Sequence, residues 1–132
     1  MGQQQLLLLI LAAVIVGVAI TLGINMFAQN SAQANQEAVM QDVLTIASRA
    51  QAWYRRPVQM GGGGRTFDGL TNNLGRINFP ASNANGGYTF TGNGNLATIV
   101  GVGVENGDGA GANTTITAVI TPDSVRTMTI TQ

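Results

Sequence analysis

The chain contains no cysteine, no histidine and no lysine. Without cysteine there is no disulfide, no thiolate nucleophile and no thiolate metal ligand. Without histidine there is no imidazole acid–base partner, and with both missing the common zinc ligand sets are gone. The absence of lysine also closes one reading of Gly61-Gly62-Gly63-Gly64, because a phosphate-binding loop needs Lys followed by Ser or Thr. Charge of either sign is scarce. Only 9% of the 132 residues are charged, against roughly 25% in ordinary soluble domains, and six arginines balance six acids. A neutral chain lacks the basic footprint that nucleic-acid binding requires. The acids are scattered, with no pair placed for glycosidase work, and the few aromatics are too dispersed for an electron-conducting array. These gaps weigh against an enzyme, and no cofactor or metal is expected.

What is present begins with a long apolar run. Residues 6–24 hold no charge and no proline, and Thr21 is their one polar side chain. At about 1.5 Å per residue the run reaches roughly 28 Å, close to the hydrocarbon thickness of a bilayer. A secretory signal would have a basic start, a core of only about 7–15 apolar residues and a small-residue cleavage site. No Lys or Arg precedes Arg49, so a retained membrane helix is the expected reading. Orientation is normally set by flanking positive charge. Its absence here means either that insertion uses another signal or, the favoured reading, that a basic leader has been removed and the sequence is the mature form.

The helix is expected to continue beyond the lipid. Residues 25–56 contain neither proline nor glycine. Gln29, Asn30, Ser31, Gln33, Asn35, Gln36 and Glu37 make the next stretch polar, with Ala28, Ala32, Ala34 and Ala38 interleaved. Alanine favours helix whereas Asn and Ser do not, so loosening is expected here if anywhere. Val39, Val43, Ile46, Ala47, Ala50 and Trp53 or Tyr54 then recur at three- and four-residue spacing, an apolar stripe for packing on a domain. Gln41, Asp42, Ser48, Arg49 and Gln51 fall largely between them. Pro57 closes the element at Arg56, and Arg55-Arg56 suit the negative end of the helix dipole and its free carbonyls. Gly17 and Gly23 have two readings of equal weight: close helix packing, or a weak point for unwinding, each glycine costing about 1 kcal/mol of helix propensity.

Residues 58–132 have another texture. The four glycines are a loop, and residues 65–87 read as an irregular connection with turns at Asn78-Phe79-Pro80 and Asn85-Gly86-Gly87. Four strand-like runs follow: 88–91, 96–104 (with Gly101 and Gly103 thinning one face), 114–121 and 124–131. Short strands joined by turns imply an antiparallel meander with one face on a core. The fold class is therefore α+β: a long N-terminal helix packed on a small antiparallel sheet of about four strands. Three segments are expected: an apolar helix half over 1–28, an amphipathic half over 29–57, and a loop-and-sheet region over 58–132. Glu105-Asn106-Gly107-Asp108-Gly109 is short of calcium ligands and reads as a hairpin turn. Asn113-Thr114-Thr115 fits the N-glycosylation acceptor pattern at Asn113.

This order of parts, with Met1-Gly2-Gln3-Gln4-Gln5-Leu6-Leu7-Leu8-Leu9 at the start and Tyr54-Arg55-Arg56-Pro57 before the glycines, resembles the type IV pilins. The resemblance spans the chain as architecture. It implies a structural subunit, a major pilin, of an extracellular filament, inserted in the inner membrane before assembly. The partners it implies are identical subunits, a prepilin peptidase and an assembly machinery. Assembly would run through Met1, Gln5, Leu6, Leu7, Leu8, Leu9, Ile10, Leu11, Val14, Ile15, Val18, Ile20 and Leu22, with Gly17 or Gly23 as the flexing point. The resemblance also implies N-methylation of the mature terminus, at Met1 or at Gln3. Three departures stand out. The family's glutamate at the fifth mature position is Gln5 or Leu7 here, its C-terminal disulfide has no cysteines, and its helix-breaking proline is absent. Within the family, a pseudopilin or minor pilin is the alternative. From another class, the alternative is a monomeric membrane-anchored binding module with a ligand near Tyr88, Phe90 or Arg65.

Overall fold

The structure, a computed structural model, describes residues 2–106 and 113–131. The fold is α+β, with one long helix, three short 3-10 turns and a four-stranded antiparallel sheet. The chain divides into two compact units, Met1–Ser31 and Ala32–Gln132. Helix α1 (Gly2–Arg55) contributes to both. Its polar stretch, where the sequence predicts loosening, is helical throughout. Ala28, Ala32, Ala34 and Ala38 supply the propensity that Asn30, Ser31 and Asn35 lack.

In the second unit the predicted stripe is the helix's buried face. Val39, Val43, Ile46, Ala47, Ala50, Trp53 and Tyr54 are all buried. The strands are β1 (Gly86–Asn93), β2 (Leu96–Asn106), β3 (Asn113–Ile120) and β4 (Val125–Thr131), and their order in the sheet is their order in the chain. Register places Phe90, Ile99, Ala118 and Met128 in one row across the four strands. The first three are fully buried and Met128 packs against the same core. Large apolar side chains such as Phe90 and Ile99 contribute roughly 1.5–3 kcal/mol each when fully buried.

Gly101 and Gly103 lie in the core-facing row of β2 for a steric reason. A Cβ on Gly101 would stand 2.8 Å from Val39 Cγ1 and 2.9 Å from Val43 Cγ2, while one on Gly103 would run into the Asn35 amide. The missing side chains are what lets the helix come this close to β2.

The irregular connection does more than the sequence implies. Its 3-10 turns, Asp68–Leu70 and Leu74–Ile77, bring Leu70, Leu74 and Ile77 into the core beside Phe67 and Phe79. The Phe67 ring lies 4.8 Å from that of Tyr54 and 6.1 Å from that of Phe90, centroid to centroid. Phe79 meets Tyr88 edge-on at 5.4 Å. Aromatic pairs in such tilted and edge-on arrangements add to the stabilisation from area alone. The turn at Asn78 is present, with φ at 57°.

The four-glycine loop folds back on the helix end. Gly63 N–H donates to Trp53 C=O at 2.9 Å, Gly64 N–H to Arg56 C=O at 3.1 Å, and Arg65 N–H to Tyr54 C=O at 2.9 Å. The indole N–H of Trp53 returns a bond to Gly61 C=O at 3.1 Å. Backbone amides, rather than the Arg55 and Arg56 side chains, satisfy these terminal carbonyls.

Candidate functional site

The first unit is the apolar part of α1. Gln5 is exposed at its start. The predicted assembly residues Leu6, Leu7, Leu8, Leu9, Ile10, Leu11, Val14, Ile15, Val18, Ile20 and Leu22 are between 54% and 67% exposed. Six consecutive apolar positions, 6–11, take in every direction around a helix, so the apolar surface is circumferential rather than a stripe. No charged residue precedes Glu37. Over its most apolar stretch the mean hydropathy is 3.0 and none of it is buried, and this helix is long and apolar enough to cross a membrane. The one polar side chain of residues 6–24 is satisfied internally, since the Thr21 hydroxyl donates to Gly17 C=O at 3.0 Å. Gly17 and Gly23 are both helical, with open space where a Cβ would stand. Met1 lies outside the described residues.

In the second unit, polar side chains fasten the helix to the irregular connection and the sheet. Asn35 donates to Asn85 C=O at 2.8 Å and accepts from Val104 N–H and Glu105 N–H at 3.1 and 3.3 Å. Asp42 is the centre of a second cluster, where its Oδ2 accepts from Tyr88 Oη and from the Asn83 and Asn85 amides. Burial alone would raise its pKa. The three hydrogen bonds outweigh that and hold the carboxyl below the ordinary 3.8. Burial and the same Asp42 contact push the Tyr88 phenol up from its ordinary value. Asp68 is also lowered, by the Gly94 N–H it accepts at 2.8 Å and by the Thr66 hydroxyl. Further along α1, Arg49 donates to the carbonyls of Ile77 and Asn78, Gln51 to Thr121 C=O, and the Tyr54 hydroxyl to Asn95 Oδ1. Arg55 pairs with Asp123 at 2.7 Å, an exposed contact.

These contacts were hidden in the sequence. Asp42 and Arg49 look like solvated positions between stripe members, and their partners lie in the connection that carries no periodicity.

No protein-family model matches the chain, and no curated protein or solved structure matches it either. The molecule's own surfaces therefore carry the functional reading. Tyr88 and Phe90 are buried against the core, at 5% and 0% exposure, and with Asn72, Leu74, Ala81 and Thr89 they line a small cleft of about 130 Å³. Arg65 is exposed. Among the described residues no three His, Cys, Asp or Glu side chains gather where they could hold a metal ion. Glu105 and Asn106 close β2, while Gly107, Asp108 and Gly109 of the predicted turn lie outside the described residues. Asn113 is exposed at the start of β3, accessible as the acceptor pattern requires.

Proposed function

We propose that this chain is a structural subunit, a major pilin, of a type IV pilus-like extracellular filament, and that it polymerises through the apolar half of α1. The observation that carries the reading is the circumferential apolar surface over residues 6–24, charge-free and uncovered, on the same helix whose later residues belong to a folded α+β unit. Such a surface is not stable in water. Lipid covers it before assembly, and identical helices cover it afterwards. Leu, Ile and Val suit both environments because apolar burial is non-directional. The Thr21–Gly17 bond leaves no unsatisfied hydroxyl in either. A head of low charge adds little repulsion between neighbouring copies.

With Met1 as the mature terminus, Gln5 stands where the family has an acid, and with Gln3 as the terminus Leu7 does. A neutral amide accepts a hydrogen bond from a neighbour's terminal amine more weakly than a carboxylate would. Register in the filament then rests more heavily on apolar packing and head contacts.

The test is electron microscopy of filaments sheared from the native cells, with mass spectrometry of the chain's N-terminus. Thin filaments built of this polypeptide, methylated at Met1 or Gln3, are the expected result. A membrane-bound monomer with an unmethylated terminus overturns the reading and favours an anchored monomer.

A further inference from the structure

Three of the six arginines meet in one cleft of the second unit. Arg49 comes from the end of α1 and Arg56 directly follows its last residue, and both line the cleft together with Ala52 and Trp53. Arg76 comes from the 3-10 turn Leu74–Ile77, and Ile77 and Asn78 complete the lining of a cleft of about 370 Å³. No carboxylate lines it. Among the described residues the one ion pair is Arg55–Asp123, so none of the three has an acid within 4.0 Å.

The cleft is built rather than incidental. Arg49 is held by two carbonyls, Ile77 at 3.3 Å and Asn78 at 2.9 Å, and its guanidinium lies 5.8 Å from the centre of the Phe79 ring. Arg76 is admitted by Gly69, where an added Cβ would stand 3.1 Å from Arg76 Nη1 and 2.9 Å from Trp53 Cη2. The glycine thus makes room for a guanidinium beside the indole that forms one wall. A second cleft, lined by Tyr54, Arg55, Arg65, Asn95, Pro122 and Asp123, is larger at about 550 Å³. Its Arg55 is already neutralised by Asp123.

We infer that the cleft of Arg49, Arg56 and Arg76 is a binding site for a phosphoryl group. Three arginines that line one cleft with no acid among its lining residues carry positive charge there, and an external anion would match it. Guanidinium forks fit the oxygens of phosphate two at a time. Three cations suit a phosphoryl dianion better than a single carboxylate. The phosphoryl group is either free phosphate or one carried on a sugar-sized body. The inference goes beyond the filament reading and is independent of it, since every residue involved lies in the second unit.

The experiment uses the full chain in uncharged maltoside micelles at constant ionic strength. Inorganic phosphate and glucose 6-phosphate are titrated separately, with chloride as control. Binding is read from the emission of Trp53, the chain's one tryptophan, and from ³¹P line width. A saturable response to phosphate but not chloride is expected, weakened about tenfold by Arg56→Gln and by Arg76→Gln, the loss of one charge-assisted contact. Arg126→Gln, on β4, serves as the control and leaves it unchanged, and unfolding midpoints report that each variant is folded. Glucose 6-phosphate binding at least about tenfold more tightly than phosphate assigns the sugar-borne source, while equal affinity assigns the free anion. Absence of a saturable response to either probe by both readouts overturns the site, as does an undiminished response in folded Arg56→Gln/Arg76→Gln.

Discussion

The phenol of Tyr88 on β1 donates a hydrogen bond to Oδ2 of Asp42 on α1, the same oxygen that accepts the side-chain amides of Asn83 and Asn85 at 3.0 Å each. One carboxylate oxygen thus ties together the helix, the end of the irregular connection and the first strand. The two ionisable partners are driven in opposite directions, Asp42 towards keeping its charge and Tyr88 towards keeping its proton.

Stability of the head is therefore bounded on both sides. A carboxyl with a depressed folded pKa contributes stability above its ordinary value of 3.8 and loses it as pH falls through the folded value. A phenol with a raised folded pKa contributes below its ordinary 10.0 and loses it as pH rises further. Urea midpoints followed by Trp53 emission in micelles will show a plateau between these limits. Asp42→Asn will lower the plateau by about 1–3 kcal/mol and flatten its acid side. An unchanged acid slope in that variant would place the acid sensitivity elsewhere.

Gly101→Ala will destabilise the head by about 1–3 kcal/mol, because the new methyl meets Val39 and Val43, both fully buried with little room to give. Gly87→Ala is the matched control. Its Cβ would meet nothing within 4 Å, so a change within about 0.5 kcal/mol is expected from the same denaturation measurement.

Thr114 is buried at 1% exposure, and its Oγ1 has no hydrogen-bond partner among the described residues. Thr114→Val keeps the shape and removes the stranded hydroxyl, so it will stabilise by about 1 kcal/mol. The substitution retains the Asn113-x-Thr115 pattern, and any glycan at Asn113 can be followed in the same variant by mass spectrometry.

Leu9→Asp puts a charge into the apolar surface at a position 67% exposed. Assembly of the proposed filament will be lost, because a carboxylate in a water-free helix bundle costs several kcal/mol. Filament yield by electron microscopy is the readout, with immunoblotting of membranes to confirm that the variant is made. Normal filaments from Leu9→Asp would contradict a core of packed apolar helices.

The sequence made the regular elements legible where a period repeats. The stripe from Val39 to Trp53 has helical spacing, and β3 alternates so that Ile116, Ala118 and Ile120 face one way. Both are faithful to the structure. Residues 65–87 have no period, so the burial of Phe67, Leu70, Leu74, Ile77 and Phe79 could not be read from them. Asp42 and Arg49 are seven residues apart on α1, a spacing that puts them on one face. That spacing was the available signal for the edge where the connection docks. What it could not supply was the partners, since Asp42 meets Tyr88 across 46 positions and Arg49 meets Asn78 across 29. The four glycines were legible as a loop, yet their service to the helix terminus depends on a chain reversal that local composition does not encode.

The agreement between strand order and chain order has a kinetic consequence. Each strand of β1-β2-β3-β4 pairs with the one just before it, so every hairpin closes a short loop and pays little entropy. The helix meets this sheet through contacts far apart in the chain, such as Asn35 with Val104 across 69 positions and Gln51 with Thr121 across 70. Such a head folds from local pairings outward. A nascent chain held at its first segment can complete that sequence as its remaining length emerges, with no later strand needing to thread between earlier ones.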